Sequence, residues 1–159
     1  MIENEEVYVH REGALRNADE VFKAWTSGDI TRMEKAIGHR TNPSDRHFLL
    51  LHLCAETHKR RAEPQMRAKF LGYARQHLDE FRMLAPALKR EFHGTLPRVP
   101  SFQTLATVLA EDGAFEEAIE VCELALGYGL EDGTRSGFEG RITRIRRKQQ
   151  QTLNKPKAR

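Results

Sequence analysis

Apolar residues recur along this chain every three or four positions, and turn-forming residues interrupt them at intervals that cut the sequence into paired helices. Leu15, Ala18, Phe22 and Trp25 form a first helical stripe. Thr26-Ser27-Gly28-Asp29 breaks it, and Ile30, Met33 and Ile37 resume the period on a second helix that Gly38 ends. Together they predict a helical hairpin over about residues 11–38. The run from Arg46 to Arg61, with leucines facing several directions, predicts a central buried helix. Pro64 suits the first turn of the next helix, where its missing N–H is no loss. Phe70, Leu71, Ala74, Leu78 and Phe81 give that helix an apolar face and complete a middle hairpin over residues 46–82. Pro86 then predicts a kink or a new short helix through Phe92, closed by Gly94, and Leu96-Pro97-Arg98-Val99-Pro100 reads as an extended connector.

A third hairpin spans residues 101–127 and is the most regular. Phe102, Leu105, Ala106 and Leu109 line one helical face behind Ser101, an expected N-cap. Asp112-Gly113 breaks that helix. The next is apolar around most of its circumference, from Ala118 through Leu126, with Glu116, Glu120 and Glu123 as its solvated strip. Gly127 and Gly129 end it. The spacing Phe102-x2-Leu105-Ala106-x2-Leu109, followed by Ala118-x3-Cys122 and Ala125, resembles the tetratricopeptide repeat, with the match covering residues 99–132. The turn at Gly28 echoes the one at Gly113.

The fold expected from this resemblance is all-α, a short tetratricopeptide-like α-solenoid of about three helical hairpins closed by a C-terminal capping helix. That last helix is predicted over residues 138–150, after a glycine-rich loop. Phe138, Ile142, Ile145 and Gln149 stack on one side and Arg141, Arg144, Arg147 and Lys148 on the other, so the helix would show water its charged side. Residues 1–150 read as one domain and residues 151–159 as a disordered basic tail.

Composition narrows the setting. The chain has 159 residues, enough for a core without a metal or disulfide staple. Cys54 and Cys122 sit inside apolar helical patterns, as reduced core thiols do. No long apolar run exists, and the acidic start MIENEE lacks the character of a secretion signal, which predicts a cytoplasmic protein without a membrane segment. The net charge of +3 hides a segregation: residues 99–139 hold nine acidic side chains and one basic, residues 140–159 eight basic and none acidic.

Candidate chemistry is sparse. His47, Leu51, Cys54 and His58 share one helical face, but only Cys54 and His58 are close enough along the axis to hold one ion, with His77 and His93 as distant candidates for further ligands. The pattern reads as packing histidines, and no metal or cofactor is expected. Cys54 has no orienting pair that would make it a nucleophile. The loop starting at Asp132 has glycines, Thr134, Arg135 and Ser136 before a helix, yet lacks the lysine and the strand of a phosphate loop, and reads as a connector. An enzyme is therefore not expected.

The resemblance implies a protein-binding adaptor. Its groove positions fall on Gln103, Thr107 and Glu111, which would face a partner peptide or helix. The lysine and asparagine with which some relatives clamp a terminal carboxylate are absent there. The alternative is a nucleic-acid-associated protein that uses Lys59, Arg60 and Arg61 together with Arg141, Arg144, Arg147, Lys148 and the tail. The opposed charges also suggest self-association, with the basic helix on an acidic strip.

Overall fold

The computed structural model describes residues 6–155; the acidic start and the end of the expected basic tail lie outside the described residues. The described chain is all-α in class: seven helices accompanied by one two-stranded hairpin. It divides into two compact units, residues 1–96 and residues 97–159.

The N-terminal unit opens with β1 (Tyr8–Arg11) and β2 (Ala14–Asn17), paired antiparallel with Tyr8 opposite Asn17 and Arg11 opposite Ala14. The two turn residues, Glu12 and Gly13, both have left-handed φ, 54° and 76°. That geometry matches the twist of paired strands. Leu15 therefore belongs to β2, 61% exposed, and not to a helical stripe. The first helix, α1 (Glu20–Ser27), starts later than expected because Asp19 caps it, accepting the Phe22 N–H at 2.9 Å. Its buried residues are Val21 and Ala24.

Gly28, with φ 72°, ends α1, and Asp29 caps α2 (Ile30–Ala36). Asn42 caps α3 (Pro43–Lys59), which packs on α1, α2 and α4. As the central helix it buries His47, Leu49, Leu50, Leu53, Cys54 and Thr57. Val21, Ala24, Met33, Ala36, Leu49 and Leu53 form one core cluster, with Trp25 and Tyr73 packed against it.

The long helix α4 (Pro64–Glu91) runs through Pro86 without stopping, where the proline predicted a kink or a new helix. A proline inside a helix removes one hydrogen bond and costs about 3 kcal/mol. Here Leu84, Ala85 and Leu88 are all buried, so continuing the helix through Pro86 keeps three side chains in the core. Arg46 joins α3 to α4 by a two-pronged contact with Glu80, at 2.8 and 2.9 Å. Asp45, its side chain 1% exposed, accepts from Arg11 at 3.0 Å and from the Trp25 indole N–H at 3.0 Å, which anchors the strand hairpin and α1 to the start of α3.

The C-terminal unit is α5 (Pro100–Glu111), α6 (Phe115–Gly127) and α7 (Gly137–Leu153). The expected helical hairpin is present as α5 and α6, with Gly113 at φ 80° in the turn. Ser101 is not its cap: Val99 is, with Pro100 in the first turn and Ser101 buried. Phe102, Leu105, Ala106 and Leu109 are buried on α5, and Ala118, Cys122 and Ala125 on α6. α7 packs on α6, buries Phe138, Ile142 and Ile145 and continues to Leu153, so residues 151–153 are helical where a disordered tail was expected.

Candidate functional site

The C-terminal unit brings most of the residues singled out in the sequence to one place. Thr107, Ala110 and Glu111 from α5 face Arg141, Arg144, Ile145 and Lys148 from α7 across an open groove of about 230 Å³. Both helices present these residues at three- and four-residue spacing, which is why each wall is continuous. Ala110 and Ile145, both buried, make the floor apolar, while Arg144 and Lys148 are exposed.

Arg141 does not stand in solvent with the other basic residues. Its position borders the buried stripe of Phe138, Ile142 and Ile145, and Asp132 draws it inward. Its Nη2 is 3.1 Å from the Asp132 carboxylate, and its Nη1 donates to the Thr107 hydroxyl at 3.1 Å. Asp132 also accepts from the Thr134 N–H at 2.9 Å and the Thr134 hydroxyl at 2.6 Å. Burial would push the Asp132 carboxyl upward, but the hydrogen bonds from Thr134 and the Arg141 guanidinium outweigh it and hold the group below the usual carboxylate range. Of the loop groups considered for a phosphate, Thr134 thus holds an internal carboxylate, while the Ser136 hydroxyl accepts from Arg144.

Gln103 is likewise turned inward. Its amide donates to the Asp132 carbonyl at 3.1 Å, and its buried Oε1 has no hydrogen-bond partner. Thr107, Arg141, Asp132 and Gln103 form a clasp that fixes α7 and the loop before it against α5. Arg147 points outward, exposed, beside Arg144 and Lys148. Asp132 was visible in the sequence only as part of a connector; an acidic residue just ahead of a basic helix is the signal that could have marked the clasp.

The N-terminal unit holds the histidines. His47 and His77 are completely buried with Nε2 of His77 2.9 Å from Nδ1 of His47, whereas His58 lies against the Phe70 ring at 5.1 Å between centroids. Among the described residues no three of His, Cys, Asp and Glu come together in a way that could hold a metal ion. Burial raises the Cys122 thiol to about 11, so it stays protonated at neutral pH. Lys59, exposed, pairs with Glu56 at 2.9 Å, Arg61 donates to the His58 carbonyl, and Arg60 is exposed beside them. No helix among the described residues is long and apolar enough to cross a membrane. Compared with protein-family models, curated proteins and solved structures, the chain finds no match.

Proposed function

We propose that this protein is a non-enzymatic docking module with tetratricopeptide-like hairpins, and that the groove between α5 and α7 receives a helix or extended segment of a protein partner. One observation carries this reading. Five of the ten residues that the sequence marked for contact, namely Thr107, Glu111, Arg141, Arg144 and Lys148, line a single concave surface with an apolar floor. Concave apolar surfaces with a few convergent polar groups are where helical scaffolds take their ligands.

The alternative, a nucleic-acid-associated protein, draws on the exposed Arg144, Arg147 and Lys148. Two features weigh against it at this surface. Arg141 is already neutralised by Asp132, and Glu111 stands on the facing wall, where it would repel phosphate.

A photo-crosslinking amino acid placed at position 148 tests the proposal in living cells, with position 82 on α4 as control. The expected result is a protein adduct formed from position 148 and lost on Arg144→Glu. Adducts to nucleic acid from position 148 would select the alternative, and equal labelling from both positions would remove the groove from the assignment.

A further inference from the structure

We infer that the occupant of this groove is the acidic face of α6 from a second copy of the same chain. The inference rests on the groove being a docking surface. It adds the identity of what docks.

The argument starts from charge. Glu116, Glu120 and Glu123 are all exposed on α6, at a spacing that puts them on one face. Arg144, Arg147 and Lys148 are exposed within little more than one turn of α7. Like charges at such spacing repel one another, so each face is stabilised by meeting the opposite sign. Among the described residues, α7 offers the acidic strip one hydrogen bond, from the neutral Gln149 amide to Glu116 at 3.0 Å, and no cation. Among the described residues, Glu120, Glu123, Arg147 and Lys148 have no ion-pair partner, and Arg144 donates to the Ser136 hydroxyl.

Geometry agrees with charge. Glu120 and Glu123 are separated by ~4.5 Å along the helix axis and Arg144 and Lys148 by ~6 Å, so a helix lying along the groove can set both carboxylates against both cations of the α7 wall and turn its uncharged side to Glu111, an orientation that a uniformly charged phosphate backbone does not have. Leu124 follows one turn after Glu120 and is 43% exposed, one of two exposed leucines on α6 together with Leu126. In a second copy it would lie over Ala110 and Ile145, the only apolar side chains of the groove. An acidic helix carrying an exposed leucine is thus present in the chain itself. The contact joins different patches, so it either closes on a pair, each strip seated in the other copy's groove, or runs on from copy to copy, and the limiting mass in solution tells the two apart.

Sedimentation velocity of the full chain over a concentration series is the test. The average mass should rise with concentration at ~0.1 M salt, and the association constant should fall about tenfold at ~1 M, where the screening length shrinks to about 3 Å. The variants Glu120→Lys/Glu123→Lys and Arg144→Glu/Lys148→Glu should each sediment as monomers while keeping the wild-type helical circular dichroism. Mixing them in equal amounts should restore association, because reversed acid strip and reversed groove attract again. A wild-type chain that stays monomeric throughout, association that survives either reversal, or reversed variants that stay apart on mixing would each overturn the inference. A monomeric wild type that still crosslinks another protein from position 148 would remove the second copy and leave the docking groove standing.

Discussion

His77 on α4 and His47 on α3 meet ring nitrogen to ring nitrogen, 2.9 Å apart and wholly buried. One nitrogen of the pair must carry a proton and the other must not, so the contact cannot form with both rings charged. Phe48 and Phe81 flank His47, with ring centroids at 5.2 and 6.0 Å, and its Nε2 has no hydrogen-bond partner. Burial, with a smaller contribution from nearby His52, pushes His47 down to about 4. For His77, burial is joined by His47 and Arg46 in pushing it well below the ordinary range.

The sign of the pH effect follows. Unfolded histidines take up protons as pH falls through ~6.5, while the folded pair does not, so the unfolded state binds more protons and stability drops. For His47 the loss begins near its unfolded value and ends near about 4, amounting to at most about 3 kcal/mol. Urea unfolding between pH 7.5 and ~5 should show it, before the depressed carboxylates such as Glu80 and Asp132 lose their own contribution at lower pH. His77→Gln should flatten the dependence, and an unchanged slope would refute the assignment.

Arg141→Met should loosen the C-terminal unit. It leaves the Asp132 carboxylate, 0% exposed, without its cation, and breaking a buried pair on one side costs about 3–5 kcal/mol. The Thr134 bonds retained by Asp132 place the expectation at the lower end. Replacing both partners, Asp132→Asn with Arg141→Met, should recover part of the loss, and thermal unfolding of the two variants measures it.

Two glycines should respond oppositely to alanine. At Gly140 an added Cβ would lie 2.3 Å from the Cβ of Ser136, so the first turn of α7 must shift, at about 1–3 kcal/mol. Gly72 lies exposed inside α4 with nothing within 4 Å of the new atom, so Gly72→Ala should stabilise by about 0.5–1 kcal/mol. Chemical denaturation of both proteins decides the point.

Phe102→Ala should destabilise by about 3–5 kcal/mol, since the ring is fully buried and packs against Tyr128 with centroids 6.1 Å apart. Leu15→Ala should change stability by no more than about 0.5 kcal/mol, as exposed positions do. A large loss at Leu15 would mean that the strand hairpin is covered by something else.

The helical class and the buried faces of α3, α5 and α6 were legible in the sequence, because a three- and four-residue apolar period has one low-energy way to hide from water. The acidic strip of α6 was legible for the converse reason. The strand hairpin was not, since four residues of alternation also fit the flank of a helix and the turn depends on Glu12 accepting a left-handed φ. Nor was the path of α4 through Pro86, where burial of Leu84, Ala85 and Leu88 outweighs a local rule.

By itself, then, the sequence determined which residues turn inward along each helix and where opposite charges gather, since both follow from local spacing. Tertiary structure alone decided what the polar residues meet. Arg141 was counted among solvated cations until Asp132 and Thr107 came within hydrogen-bonding reach, and His47 and His77 are thirty residues apart in the chain. Such pairings depend on how helices pack across space, and spacing within one helix carries no record of the residue on the next.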